Sequence, residues 1–194
     1  MLCPSEPGDG TWIVLNDTGA TLALINWYSI TAQVKGGIVS RGKVGNAASA
    51  AGMPESVDSA LAHLPLKKIK PFRLVGIFPA TNEIAEWRWD LKKLIHQKHR
   101  WRSQQWISSG FDEPNAQRIR SQTFRRALQQ KSAGSLAWLR RLHRSHSPQA
   151  GPFSMCMHRD DAATVSYTEL AVYPNQAVMR YQGGAPWQAA DSSI

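Results

Sequence analysis

Four side chains that could carry out chemistry lie close together near the C-terminal end of the sequence: Cys156, His158, Arg159 and Asp160. A thiol, an imidazole, a guanidinium and a carboxylate can serve nucleophilic attack, proton transfer and anion binding. The runs Phe153–Met157 and Thr164–Val172 on either side have the composition of strands. Because charged groups are costly to bury unpaired, the pattern predicts a β-hairpin that holds these groups at a strand end, and a solvated turn is the alternative.

The tripeptide His158-Arg159-Asp160 also occurs in the catalytic loop of protein kinases. That mechanism requires an asparagine five residues after the aspartate, where this sequence has Val165. The chain also has no glycine-rich phosphate loop, and 194 residues are too few for two kinase lobes. The sequence therefore excludes a protein kinase.

The composition is typical of one globular domain, and we expect a single domain over residues 1–194. Eight tryptophans supply large apolar surfaces for a core. Cys3 and Cys156 are too few for a disulfide framework, which favours a reducing, cytoplasmic location. No apolar run approaches the roughly 20 residues that span a bilayer, and the first residues lack the pattern of a secretory signal.

The net charge of +9 predicts an anionic partner. Small molecules that carry a phosphate or a carboxylate are the favoured class. Nucleic acid is less favoured because the sequence contains no known binding module, and a basic helix is usually a solvated face.

Alternating and apolar runs predict a meander of strands, which we place at Thr11–Asn16, Ala20–Asn26, Phe72–Phe78, Glu83–Trp89, Leu91–Gln97 and Gln104–Ser108. Gly19 is expected to take a positive φ in the first hairpin, whose second strand is apolar on both faces and therefore central. The stretch Val44–Leu64 predicts two short helices, and further helices begin at Asp112 and cover Ser135–His143. This order of elements favours an α+β fold with two antiparallel sheets between helical layers.

Several motifs occur in one collinear order: Gly10–Gly19 with Leu24–Asn26, then Pro71–Val75, Glu86–Trp89, Ser108–Gly110, and Cys156–Asp160 with Thr164–Ser166. In this combination the sequence resembles the NRDE family, also called the transport and Golgi organisation protein 2 family, from about Gly8 to Trp187. The resemblance implies the four-layer αββα sandwich of the N-terminal nucleophile hydrolases and activity on amide or ester bonds.

Two features of the family are absent from the sequence: the initial Met-Cys pair and the Asn-Arg-Asp-Glu segment. In the N-terminal nucleophile mechanism the first mature residue attacks a carbonyl while its own α-amine acts as base. Cys3 follows Leu2 and precedes Pro4, so we expect that it is not this nucleophile. The chain is therefore expected to lack its first strands and to be catalytically incomplete, and unpaired strand edges would favour a homo-oligomer.

The resemblance also assigns roles to individual residues. Asn26 resembles the asparagine that stabilises an oxyanion, and Arg159 resembles the arginine beside the nucleophile, which lowers a thiol pKa or holds a carboxylate. Ser109 falls where relatives place a second asparagine. With His158 and Trp27 it completes the expected substrate-binding residues. We expect Asn26 and Arg159 to face one common pocket.

Other interpretations remain open for several of these side chains. Arg159 can instead be a paired core arginine, and Cys156 is expected to be a buried thiol rather than a nucleophile. A metal site of His143, His146 and His158 is disfavoured because no carboxylate partner is indicated by spacing, so we expect neither a metal nor another cofactor.

The sequence thus favours a hydrolase-like protein of the NRDE type whose own catalysis is incomplete. The alternative is a non-catalytic protein that binds a small anionic or lipid-like ligand in the same pocket.

Overall fold

The computed structural model describes residues 10–188, so Cys3 lies outside the described part of the chain. These residues form two compact units, one of residues 10–102 with 170–179 and one of residues 103–169 with 180–188. We refer to the first as the sheet unit and to the second as the helical unit.

The sheet unit is built on one five-stranded antiparallel sheet with the strand order β1-β2-β3-β4-β5. The strands are β1 Ile13–Leu15, β2 Thr21–Asn26, β3 Phe72–Phe78, β4 Glu83–Trp89 and β5 Leu94–His99. Two helices lie between β2 and β3 in the sequence, α1 Gly42–Ala48 and α2 Pro54–Ala62. They confirm the two short helices predicted for this stretch.

The first hairpin forms as the sequence predicts, with a shorter first strand. Gly19 has a φ of 77°, and the Asn16 side chain closes the turn by accepting the backbone N–H of Ala20 at 3.0 Å. Val14 pairs with Leu22, and Val14 and Leu24 are only 1% and 6% exposed. The hairpin is therefore part of the core, and β2 lies inside the sheet between β1 and β3.

The second hairpin has the predicted boundaries at both strands. Phe72 pairs with Trp89, and Phe78 pairs with Glu83. A 3-10 turn at Pro79–Thr81 and a left-handed Asn82 with a φ of 52° connect the two strands.

The next two strand predictions are less accurate. β5 begins at Leu94 rather than Leu91, because Leu91 has a φ of 74° and the Asp90 carboxylate accepts the backbone N–H groups of Lys92 and Lys93 in a turn. The strand predicted at Gln104–Ser108 is wrong, since this segment does not join either sheet. An alternating pattern indicates which face of a strand would be apolar, but it does not indicate whether another strand is available to pair with it.

One face of the sheet packs against α1 and α2. Its core includes Leu22, Leu74 and Trp87 from the strands and Val44 and Leu61 from the helices. The register places Val75, Ile84 and Glu86 on the opposite face, where they are also buried. Both faces of the sheet are thus removed from solvent at its centre.

The helical unit contains α3 Glu113–Ala127 and α4 Leu136–Arg144. The Asp112 side chain accepts the backbone N–H of Asn115, and the Ser135 side chain accepts that of Trp138, so each helix has the N-cap that its sequence predicts. Both helices are confirmed.

The hairpin predicted at Phe153–Met157 with Thr164–Val172 is wrong. Residues 153–157 are not a strand, and β6 Ser166–Tyr173 pairs instead with β7 Gln176–Gly183. Strands separated by a two-residue turn meet at a lower entropic cost than strands separated by a longer loop. The charged residues form a separate short turn in which Arg159 N–H donates to Ala162 and Thr164 N–H donates to Met157.

The protein is therefore a mixed α+β protein with a five-stranded antiparallel sheet, a two-stranded sheet and four α-helices in the described residues. Between residues 10 and 188, every helix is too short or too polar to cross a lipid bilayer.

Candidate functional site

Asn26 is the last residue of β2, where the strand delivers its amide to the end of the sheet. Its Nδ2 donates to the Tyr28 hydroxyl at 2.9 Å. An amide nitrogen carries two protons, so one N–H remains for another acceptor. The Oδ1 atom is buried and has no hydrogen-bond partner within the described residues. The neighbouring Trp27 is half-buried, and its backbone N–H donates to Pro71 at 3.4 Å.

A cation lies beside this strand end within the same unit. The Arg41 guanidinium lies over the Trp12 ring, 5.9 Å from its centroid, and donates to the Pro71 carbonyl at 3.3 Å. Burial lowers the pKa of Arg41 and outweighs the opposing effect of Tyr28. An uncommitted amide proton and a guanidinium therefore occur together near Tyr28, a combination suited to an oxyanion or a carboxylate.

Arg159 lies in the helical unit, in the short turn after Met157. Its Nε donates to the Asp161 carboxylate at 2.8 Å, and its guanidinium lies 5.0 Å from the centroid of the Phe111 ring. The hydrogen bond that Arg159 donates to Asp161 raises the pKa of Arg159 and lowers the pKa of Asp161. Because Asp161 is exposed, an incoming anion can replace it at the guanidinium without leaving a buried charge unpaired.

Cys156 is completely buried, as the sequence predicts for an inert thiol. Burial raises its pKa despite hydrogen bonds that involve Thr164 and Trp187. A thiol attacks as its thiolate, so Cys156 is disfavoured as a nucleophile on both grounds.

Ser109, expected to bind substrate, is buried and engaged within its own loop. Its hydroxyl donates to the Phe111 carbonyl at 2.6 Å, and its backbone N–H donates to Glu113 at 3.4 Å. These bonds hold Phe111 beneath Arg159. The Ser109 hydroxyl is therefore not free to bind a substrate. It helps to hold Phe111, the residue whose ring lies against the Arg159 guanidinium.

His158 is exposed and stacks on Trp187, with the ring centroids 4.6 Å apart. The His146 ring joins this aromatic group, and its centroid lies 5.5 Å from that of the His158 ring. The Nε2 atom of His146 is buried and has no hydrogen-bond partner in the described residues. A cavity of about 700 Å³ opens beside His158 and Arg159 and is also lined by Asp161.

The third histidine of the considered metal set lies elsewhere. His143 Nδ1 is 3.0 Å from the Leu139 carbonyl oxygen, and the His143 ring packs 5.7 Å from Tyr167. Burial lowers the pKa of His143. Among residues 10–188, no group of three or more histidine, cysteine, aspartate or glutamate side chains has the arrangement of a metal site.

Arg120 is a positioning residue that the sequence did not single out. It donates to the carbonyls of Ser154 at 3.0 Å, Pro152 at 3.1 Å and Ser108 at 3.4 Å, and burial lowers its pKa. It thus joins α3 to the two loops that carry Phe111 and the turn of Arg159. In the sequence it is one of several arginines in a basic helix, and nothing distinguishes it from its exposed neighbours.

The structure brings Ser109, His158 and Arg159 into the helical unit and places Asn26 and Trp27 in the sheet unit. The convergence of Asn26 and Arg159 on one pocket stays a prediction. Comparison of the chain with models of known protein families finds no match, and comparison with curated proteins finds none either.

Proposed function

We propose that the protein is an N-terminal nucleophile hydrolase-like member of the NRDE family that binds and cleaves an amide or ester with an anionic group. The observation that carries this proposal is the amide of Asn26. It is fixed at a strand end and retains one N–H for an oxyanion.

The fold is compatible with this proposal. The five-stranded antiparallel sheet is buried on both faces at its centre, a pattern typical of a sheet between two layers. We propose that the fold is the four-layer αββα sandwich of the N-terminal nucleophile hydrolases. We also propose that the collinear motifs occupy the same positions in this sandwich as they do in the NRDE family.

In the proposed reaction, the side chain of the first mature residue attacks the carbonyl carbon while its α-amine takes up the proton, and the carbonyl π electrons move to the carbonyl oxygen. Asn26 Nδ2 donates a hydrogen bond to the developing oxyanion, which collapses as the α-amine gives the proton to the leaving amine or alcohol, and water then hydrolyses the acyl-enzyme. Arg41, whose guanidinium lies beside the same strand end near Tyr28, holds the anionic group of the substrate. The attacking group is not Cys156, because that thiol is buried and its pKa is raised.

The proposal is tested by measuring hydrolysis, the transfer of a substrate's acyl group to water. We expect the native protein, whose intact mass identifies its first residue, to release nitrophenol or nitroaniline from carboxylate-bearing acyl esters or anilides. Asn26→Ala is expected to lower kcat/KM about 100-fold, the usual loss of an oxyanion donor, with an unchanged melting temperature. Gln33→Ala, which removes an exposed amide from the loop after β2, is the matched control, and its kcat should stay near that of the native protein.

Arg41→Gln should raise KM for the anionic substrate and leave a neutral analogue unaffected. A native protein that turns over none of these substrates would contradict the hydrolase proposal, as would an Asn26→Ala variant with full activity.

The second candidate function is binding of a small anionic or lipid-like ligand without turnover. It is favoured by the state of Cys156, the one cysteine of residues 10–188, which is unsuited to attack. Capture of ligands from a cell extract on the native protein, followed by mass spectrometry, separates the two functions. A ligand recovered intact, with Arg159→Gln abolishing its retention, supports binding alone.

A further inference from the structure

A second cavity of about 480 Å³ lies within the helical unit, between the C-terminal half of α3 and α4. It shares no lining residue with the cavity beside His158 and Arg159. Its lining includes Arg126, Ala127, Trp138, Arg141 and Leu142. A volume of this size accommodates a small organic molecule.

The floor of the cavity is apolar and fixed. Trp138 is 3% exposed and belongs to a core cluster with Ala127 and Leu142. Its indole Nε1 donates to the Ala127 carbonyl at 3.1 Å, which holds the last turn of α3 against α4. An apolar or aromatic body therefore finds a preformed surface here.

The rim is cationic. Arg126 and Arg141 both line the cavity and are exposed, and no acidic residue of the described chain lines it with them. Arg141 donates to the Ser132 hydroxyl at 2.9 Å, which leaves the other N–H groups of its guanidinium for a ligand.

Favourable interaction with the helix dipole is the simpler explanation for arginines in a last turn. It accounts equally for Arg125, which is in the same turn of α3 but does not line the cavity. The dipole does not explain why two arginines of different helices share one rim over an apolar floor. A guanidinium pair of this kind suits a carboxylate or a phosphate, which arginine binds with two parallel hydrogen bonds.

We propose that this cavity is a binding site for a small amphiphilic anion, with its apolar body on Trp138 and its carboxylate or phosphate head between Arg126 and Arg141. The site does not depend on the proposed hydrolase function, because none of its residues has a role there.

Isothermal titration of the full chain tests the proposal with 1-naphthoate and 1-naphthyl phosphate, which carry the two heads on one body. The head alone is represented by inorganic phosphate and the body alone by 1-naphthalenemethanol. We expect at least one of the naphthyl anions to bind about tenfold or more tighter than either fragment. The better of the two distinguishes a carboxylate ligand from a phosphate ligand. Failure of both anions to bind at about 10 mM would overturn the proposal.

Charge variants locate the site. Arg126→Gln and Arg141→Gln should each weaken the better anion by about tenfold or more, the usual effect of losing a charge-assisted hydrogen bond. Arg125→Gln removes the same charge from the same helical turn and should leave the affinity within about twofold. Melting curves check that all three variants are folded.

An equal loss of affinity in all three variants would mean that the anion is attracted only by the overall positive charge of the surface. The proposal would then be wrong. Tighter, salt-sensitive binding of single-stranded RNA, weakened by Arg125→Gln as well, would assign the surface to nucleic acid and would also overturn it.

Discussion

At the level of single residues, two glycines of α1 allow the helix backbone to approach the chain that leads into β1. A Cβ atom on Gly42 would lie 2.5 Å from the Gly10 Cα, and one on Gly45 would lie 2.5 Å from the Thr11 carbonyl oxygen. Real Cβ atoms essentially never make such contacts. These glycines are therefore needed for packing, since neither has a positive φ.

The substitution Gly45→Ala tests this close approach. Alanine is the better helix former by about 1 kcal/mol, but overpacking against backbone costs about 1–3 kcal/mol. We expect a net loss of about 1 kcal/mol in the free energy of unfolding, measured by urea denaturation. Gly37→Ala is the matched control, because nothing lies within 4 Å of its added Cβ. Equal stability of the two variants would contradict the packing role.

At the level of elements, the helical unit depends on α3 to hold irregular segments in place. Arg120 projects from the middle of the helix and donates to three carbonyls from residues 108, 152 and 154. Those segments carry Phe111 and the turn of Arg159, yet neither has strand hydrogen bonds of its own. The half-buried guanidinium of Arg120 thus provides the hydrogen bonds that a neighbouring strand would provide in a sheet.

Replacement of this arginine by lysine keeps the charge but removes the fork of donors. In Arg120→Lys we expect a loss of about 2 kcal/mol in the free energy of unfolding, since one ammonium cannot satisfy three divergent carbonyls. Hydrogen exchange should also speed up at residues 152–156. Arg118→Lys is the control, because Arg118 is exposed and, within residues 10–188, its side chain bonds only to Asn115. Unchanged exchange at residues 152–156 would count against the positioning role.

At the level of the whole molecule, a buried ion cluster makes stability depend on pH. Glu86 is 2% exposed, accepts from Arg73 Nε at 2.6 Å and lies 2.9 Å from His99 Nε2. Burial acts to raise the pKa of Glu86, but the hydrogen bond and charge of Arg73, with help from His99, outweigh it and lower the pKa. Arg140 in the same way lowers the pKa of Glu169, with a bidentate pair of 2.7 Å bonds.

A carboxyl whose pKa is lowered on folding stabilises the protein fully above its unfolded value and loses that contribution as the pH falls through its folded value. We therefore expect the free energy of unfolding to decrease as the pH drops below about 4.5, the ordinary pKa of a carboxyl such as that of Glu86. Glu86→Gln should cost about 2 kcal/mol at neutral pH, less than a fully buried pair because Arg73 is partly exposed.

The variant should also have a shallower loss of stability in acid. Glu169 remains in the variant, so the profile should not become flat. Glu55→Gln, which changes an exposed carboxylate, serves as the control and should follow the native profile. A Glu86→Gln profile parallel to that of the native protein would contradict the assignment.

Patterns that act over a few residues were sufficient to predict much of the fold from the sequence. The two hairpins of the sheet unit, Gly19 in its turn and the helices of Val44–Leu64 follow from alternation, turn residues and prolines, all of which are local. The burial of Cys156 was predicted for the same reason, since a small apolar side chain in an apolar run is usually inside.

Only the tertiary structure decided which segments pair and which polar groups are satisfied. The partner of β6 is β7 rather than Phe153–Met157, and Ser109 and Arg120 are engaged by backbone groups that the sequence does not indicate. The cavity between α3 and α4 likewise depends on residues of two helices that meet in space. The pairing of strands and the hydrogen bonding of buried polar groups are long-range properties. The local sequence of a strand or around an arginine does not specify which distant residue will become its partner.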